Sequence, residues 1–564
     1  MADDATLLDE MAHWTGVAGR MQQLLMEHGA SAALKIADDT AELLAQAPSD
    51  PKALGDAQAA WWTDALTQWQ AMLPAAGGDR RFTGARWQEP LFDMIRQSYA
   101  TIADQLLKGV EAVEGIDPKA KEQLRFATQS FVEAMSPANF ALTNPQVLDR
   151  IFETRGANLI TGLERMLADI SAGQIRHVGE NAFELGKTLA TTPGKVIKET
   201  PLCQLIHYAP ATPKVDAIPL LIFPPWINRF YILDLGPQKS FVKWAVDQGL
   251  SVFIVSWKSA DASMADVTMD DYVLRGQRDA LDTVRDLLDV PSVHVIGYCV
   301  AGTALSMLLA WLAAQGEADK VASATFFTAQ VDFSNAGDLG LFVDDAQLAL
   351  IEGLATDGYL DGRYMGATFN LLRGRDLIWN YVVNNYLLAD EYRPFDLLHW
   401  NSDVTNLPAE WHRRYLTDLY RDNKLVKGTL SIDGVPIDLR KITTPSYIQA
   451  GREDHIAPPE SVWQLTRHFA GPLRFVLAGS GHIAGVVNPP AAGKYQYWIN
   501  DDRAETLDQF VAGAVEHKGS WWPDWRAWIG ARSGGKVSAT GARIPGKGKL
   551  KAIEDAPGRY VMTR

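Results

Sequence analysis

Six short apolar runs constrain this chain more than any other feature: IPLLIF (218–223), SVFIVSW (251–257), VHVI (293–296), ASATFFTA (322–329), SYIQA (446–450) and RFVLA (474–478). Helical segments alternate with them, and that alternation predicts a mostly parallel sheet, because parallel neighbours need a crossover between them. The spacing is regular except between Ala329 and Ser446, where stretches such as LIWNYVVNNYLLADEY exceed what a compact connection needs. Residues from about 330 to 442 therefore read as an inserted lid over the carboxyl edge of the sheet. The tail from Gly534, GGKVSATGARIPGKGKLK, is rich in Gly and Lys and is expected to lie extended over the surface.

Upstream, from Thr6 to about Lys187, amphipathic patches such as AQAAWWTDALTQWQAML and FDMIRQSYATIADQLLKGVEAV are separated by Pro and Gly breaks. They predict an all-helical N-terminal domain over 1–187, followed by a catalytic domain over 188–564. Trp61, Trp62, Trp69 and Trp87 recur near helical spacing, which suits core packing; a hydrophobic docking surface is the alternative. With 47% hydrophobic and 21% charged residues, the chain can bury a large core. Its net charge of −15 disfavours nucleic acid and anionic membrane surfaces, so no nucleic-acid partner is expected. The start, MADDATLLDE, lacks the basic and apolar regions of a signal peptide, and Cys203 and Cys299 are the only cysteines. No disulfide framework is possible beyond one bridge, and a cytosolic setting is expected. The uncharged stretch Val290–Gly316 is long enough to raise a transmembrane reading, yet Pro291, Gly297 and Gly302 interrupt it. Strand, turn and buried helix fit it better, and no transmembrane segment is expected.

Inside that stretch, VIGYCVAGT places Cys299 between the strand VHVI and the helical VAGTALSMLLAWLAA. So sharp a turn needs small neighbours, here Gly297 two residues before and Ala301 and Gly302 two and three after. This is the nucleophile elbow of the α/β-hydrolase fold with cysteine in place of serine; a buried structural cysteine is the bland reading. A helix N-terminus favours the thiolate through its dipole and its N–H groups. Val300 N–H is one natural oxyanion donor, and the loop after IPLLIF, PPWINRFYILDL, should supply the second from Trp226 or Ile227. The order of this fold, nucleophile then acid then histidine, selects Asp454 in AGREDH and His482 in AGSGHIAG, each just after a strand. His482 would take the thiol proton and Asp454 would orient the imidazole. Read alone, Asp454 is a turn acid and His482 a packed loop histidine, and His455 competes for the base. GSGHIA also fits a G-x-G-x-x-A dinucleotide pattern, but Pro489 and Pro490 cut short the helix such a site requires.

Cysteine at this turn has a chemical meaning. Moving an acyl group from thiol to thiol exchanges one thioester for another and keeps it activated, and an alcohol then takes it downhill to an oxygen ester. The nucleophile therefore points to acyl transfer from a thioester such as an acyl-CoA to a hydroxyl. GYCVAGT, PPWINRFYILDL, VSWKSAD, WNSDVTNLP, GREDHIAPPESV, GSGHIAGVVNPP, GSWWPDW and the upstream MSPANFALTNP together resemble the class I polyhydroxyalkanoate synthases over roughly residues 85–564. The resemblance implies an acyltransferase that takes (R)-3-hydroxyacyl-CoA, usually 3-hydroxybutyryl-CoA, releases CoA and grows an aliphatic polyester. It implies Cys299 as nucleophile, Asp454 as acid and His482 as histidine, with no retained cofactor and no metal. It also implies a homodimer at the surface of cytoplasmic polyester granules, near granule-coating proteins, with the lid keeping water from the acyl-enzyme. By the same analogy the helical region binds granules or coat proteins, or is a structural support. The pattern departs at Ala301, where the family has glycine, and the added methyl is expected to shift the elbow slightly. Competing readings are a cysteine-dependent acyl-CoA thioesterase or single-step acyltransferase, and an inactive granule-binding scaffold.

Overall fold

The computed structural model describes residues 13–17, 19–21, 23 and 79–563. Trp61, Trp62 and Trp69 lie outside the described residues. The chain divides into two compact units, one holding residues up to Gly179 together with Ala367–Arg393, the other Glu180–Gly366 together with Pro394–Arg564.

Proline and capping residues punctuate the first unit. Helices α1 (Pro90–Glu111), α2 (Pro118–Ala134) and α3 (Pro145–Glu153) each begin with proline, where the missing N–H costs nothing. Asp117 and Asn144 cap the second and third through their side chains. Helix α4 (Ala157–Ala172) runs between Gly156 and Gly173, both left-handed. Trp87 is 1% exposed and packs edge-on against Phe82 and Phe92, as core packing requires. Residues 367–393 differ from the expected single insertion, because they pack with this helical unit. Asn158 Nδ2 donates to Leu387 O at 2.7 Å, Tyr386 Oη to Asp169 Oδ2 at 2.6 Å, and Arg150 pairs with Asp390 at 3.0 Å. Gly162 is glycine because a Cβ there would lie 1.6 Å from Tyr386 O. The helical unit thus ends near 179 rather than 187 and takes back part of the insertion.

The second unit is built on one mixed sheet of eleven strands. In chain order they are β1 (Gly194–Glu199), β2 (Cys203–Tyr208), β3 (Leu220–Phe223), β4 (Val252–Trp257), β5 (Val293–Tyr298), β6 (Val321–Phe327), β7 (Ser446–Gly451), β8 (Leu473–Ala478), β9 (Gln496–Ile499), β10 (Val515–Lys518) and β11 (Glu554–Asp555). Their spatial order is β10-β9-β8-β7-β6-β5-β3-β4-β2-β1-β11. The six apolar runs become the six parallel strands β8 to β4 at the centre, and antiparallel strands extend both margins. This is an α/β-hydrolase architecture.

Two apolar layers cover the sheet. On one face lies helix α5 (Val300–Ala314), buried along nearly its whole length. Val290–Gly316 is thus strand, turn and buried helix, and no helix among the described residues is long and apolar enough to cross a membrane. On the other face sit Trp521, Trp522 and Trp525, whose indole N–H groups donate to Gly485 O, Val486 O and Thr325 Oγ1. Each buried ring thereby satisfies its one polar atom, and two of them tie down the turn that carries His482. The tail does more than lie over the surface. Lys536–Ser538 pairs with Lys214–Asp216, buried Arg543 donates to the carbonyls of Asp216 and Ala217, and β11 closes the sheet beside β1.

Candidate active site

Cys299 stands between β5 and α5 with φ of 53°, a left-handed conformation that costs a β-carbon residue strain and persists only where the surroundings enforce it. The enforcement is visible. Cys299 N–H donates to Phe327 O at 2.9 Å, and Cys299 O accepts from Gly302 N at 2.8 Å and Thr303 N at 3.1 Å. Strand and helix touch backbone to backbone: a Cβ on Gly297 would lie 2.6 Å from Gly302 Cα, and one on Gly302 would lie 2.5 Å from Ala329 Cβ. The crowding falls on these two glycines, whereas Ala301 is buried in the apolar core and its carbonyl accepts from Gln277 Nε2 at 2.8 Å.

Asp454 follows β7 and His482 follows β8, so both reach the same end of the sheet as the elbow. The Asp454 carboxylate is fully buried; Oδ1 accepts from Ile456 N and Ala457 N at 2.9 Å each, and Oδ2 meets His482 Nδ1 at 2.7 Å. A carboxylate with this donor set accepts from Nδ1–H, which leaves Nε2 for the thiol. The His482 side chain is 10% exposed, and its carbonyl accepts from Tyr298 Oη at 3.0 Å. Burial disfavours its charged form, but the charges of Asp454 and Cys299, with hydrogen bonds to both, outweigh that and push its pKa up to about 10. The imidazole on Asp454 is that of His482, while the carbonyl of His455 accepts from Asp338 N.

The register of the sheet sets Phe223 opposite Gly297, so the loop after β3 and the elbow leave the sheet side by side. Trp226 is 1% exposed, stacks on Tyr272 with ring centres 4.1 Å apart, and has its carbonyl bound by Thr405 Oγ1 at 2.6 Å. Val300 opens α5, where its N–H has no acceptor within the helix.

The family model described as poly-beta-hydroxybutyrate polymerase (PhaC) N-terminus matches residues 78–245, and that of the alpha/beta hydrolase fold matches 219–489. The poly(3-hydroxyalkanoate) polymerase subunit PhaC of Cupriavidus necator is 42% identical over 576 residues, covering 100% of this chain and 95% of its own. The poly(3-hydroxyalkanoate) polymerase of Methylorubrum extorquens is 43% identical, covering 90% of this chain and 85% of its own, and polymerase 1 of Ectopseudomonas oleovorans is 34% identical, covering 88% of each. The chain belongs to the poly(3-hydroxyalkanoate) polymerase family.

This polymerase carries a row of aromatic rings running on from Trp226, whose other members sequence reasoning did not single out. Trp226 and Trp411 meet edge-on at 5.4 Å, Trp411 stacks on Tyr415 at 4.8 Å, and Tyr420 and Phe333 continue the row. Burial raises the phenols of Tyr415 and Tyr420. The density of aromatic residues in NLPAEWHRRYLTDLY is the signal the sequence offers for Trp411, Tyr415 and Tyr420.

Proposed function

We propose that this poly(3-hydroxyalkanoate) polymerase grows its polyester through an acyl-cysteine on Cys299, with (R)-3-hydroxyacyl-CoA as substrate and 3-hydroxybutyryl-CoA as the class I monomer. The observation that carries the reading is the buried His482–Asp454 pair beside a cysteine on a strained elbow. His482 takes the thiol proton, and the thiolate attacks the thioester carbonyl. The oxyanion lies between Val300 N–H and a donor from Trp226 or Ile227. CoA leaves as its thiolate and recovers the proton from His482. The hydroxyl of a second monomer then attacks the acyl-cysteine, an oxygen ester forms, and Cys299 is released.

The electrostatics suit both halves of this cycle. The pKa of about 10 belongs to a His482 that faces a charged cysteine. Acylation removes that charge and one cause of the upward shift, so more of the imidazole is neutral and able to take the proton that the hydroxyl must lose. Enclosure of Asp454 and His482 keeps water from an intermediate that hydrolysis would waste. The roles at the granule follow the family: a cytoplasmic homodimer at the polyester surface, with coating proteins as neighbours and no retained cofactor.

The test adds (R)-3-hydroxybutyryl-CoA and follows free CoA and turbidity together, with Cys299→Ala alongside. Joint release of CoA and insoluble polymer, lost in the variant, is expected. CoA release without polymer would make the chain a thioesterase, and polymer formed by the variant would remove Cys299 from the mechanism.

A further inference from the structure

Three consecutive residues of the insertion, Asp403 to Thr405, clamp the loop after β3 one after another. Asp403, 5% exposed, accepts from Tyr231 Oη at 2.8 Å and pairs with Arg229 Nε at 3.4 Å. Val404 forms an antiparallel bridge with Asn228. Thr405 Oγ1 donates to Trp226 O at 2.6 Å. Asn406 ties the run to the end of β4: its N–H donates to Ser259 Oγ at 3.0 Å, its Nδ2 to Ala260 O at 3.1 Å, and its carbonyl accepts from Ala260 N at 3.1 Å. Trp400 Nε1 adds a donor to Arg229 O at 2.7 Å.

We propose that Thr405 is a positioning residue that aims the Ile227 N–H at the oxyanion, so that seating of the Asp403–Asn406 segment completes the site. The inference rests on the acyl-cysteine reading above and selects between the two donors that reading leaves open. A trans peptide plane points its C=O and its N–H in opposite directions, and Trp226 C=O shares its plane with Ile227 N–H. Thr405 approaches from the β4 side, as the bonds from Asn406 to Ser259 and Ala260 show. In the sheet β3 lies between β4 and β5, so an N–H turned away from Thr405 faces the β5 side, where Cys299 stands. Neighbouring clamps stop the loop from rotating: Arg229 has a side chain only 1% exposed, and its Nη1 also donates to Tyr560 O at 3.3 Å. Without the Thr405 hydroxyl, the Trp226 carbonyl loses the partner that sets the direction of this peptide plane.

The experiment compares wild type, Thr405→Val and Thr405→Ser in three measurements. They are the rate of first CoA release after rapid mixing with (R)-3-hydroxybutyryl-CoA, the KM for that ester, and the rate at which iodoacetamide alkylates Cys299. Alkylation needs the same thiolate but forms no oxyanion. Thr405→Val is expected to slow first CoA release about tenfold or more, with KM and alkylation unchanged, because a misaimed donor weakens only the oxyanion interaction. Thr405→Ser, which keeps the hydroxyl, should restore the rate to within about twofold, a tolerance well inside the loss expected from a missing donor. First CoA release at the wild-type rate in Thr405→Val overturns the proposal, and so does a parallel fall in alkylation, which would mark a disturbed elbow. Should Thr405→Val not fold, Tyr231→Phe, which removes a donor to Asp403, must show the same split between CoA release and alkylation, and an equal fall in both overturns it. Failure of the underlying reading appears earlier and separately, as a wild-type chain whose CoA release does not need Cys299; the proposal then falls with it.

Discussion

The two loops that meet at the carboxyl end of the sheet are held in opposite ways. The turn at Cys299 is held by its own neighbours: Gly297 and Gly302 leave no room for a side chain, and Phe327, on the adjacent strand β6, takes the Cys299 N–H. The loop after β3 is tied at its start by Trp257 Nε1 of β4, which donates to Pro224 O, but beyond that it is held by Asp403 and Thr405, far along the chain. Geometry built into adjacent residues is rigid whatever the insertion does. Geometry supplied from a distance exists only while the distant segment is seated. On the proposed reading, with Cys299 as nucleophile and the loop after β3 as oxyanion donor, one movement of the insertion would change acylation without disturbing the thiol.

The largest expected effect lies at the elbow. Gly297→Ala should abolish Cys299-dependent CoA release, since its Cβ would fall 2.6 Å from backbone that cannot move aside. An active Gly297→Ala would show that the turn is not held locally, and the comparison would break. On the other loop, Asp403→Asn leaves the Arg229 side chain, 1% exposed, without its charge partner. It should lower the free energy of unfolding by about 3 kcal/mol in urea titrations. CoA release should fall further than iodoacetamide alkylation of Cys299, and an equal fall would mean that the two loops are not independently held.

The pH dependence is a smaller effect and belongs to His482, held on Asp454 beside the elbow. His482 is raised in the folded state, so the native chain holds a proton that the unfolded chain releases. Its contribution is complete below about 6.5 and is lost as pH rises toward 10. The stability difference between wild type and His482→Gln, measured by thermal unfolding across that window, should shrink with rising pH, and Thr405→Val should leave this dependence unchanged. A difference that grows with pH would reverse the sign and contradict the charge pair. The smallest effect is expected for Ala301→Gly, about 2 kcal/mol from one buried methyl and helix propensity together. CoA release should stay close to wild type, because the crowded contacts involve Gly297 and Gly302 instead. A large gain in rate would mean that the methyl distorts the elbow after all.

The same contrast explains what could be read from the chain. VHVI, Gly297, Cys299 and Gly302 are contiguous and their constraint is local, so the turn was legible, and the strand order then led to Asp454 and His482. The six central strands were legible because both their faces are buried and their residues are almost all apolar. The margins were not: β10 is exposed at every position, and β11 consists of two acidic residues. LIWNYVVNNYLLADEY read as lid, but its backbone carbonyls and Tyr386 find partners on α4 in the helical unit, and periodicity cannot say which neighbour a polar atom will meet. WNSDVTNLP stood out only through resemblance. Its bonds to Trp226, Arg229 and Tyr231 cross a separation in sequence over which no spacing rule operates.

The unequal margins of the sheet bear on how this protein behaves when crowded. One margin ends in β11, two residues laid down by the tail; the other ends in β10, where alternate residues turn their main-chain donors and acceptors away from β9 and Val515 is 62% exposed. Such a margin is a template for fibril-like stacking of one molecule on the next. Glu516, His517 and Lys518 occupy it, so a second copy docking there would have to desolvate ionic side chains before gaining any main-chain bond. Concentrated solutions of the protein should therefore resist edge-to-edge aggregation, and neutralising Glu516 and Lys518 together should weaken that resistance.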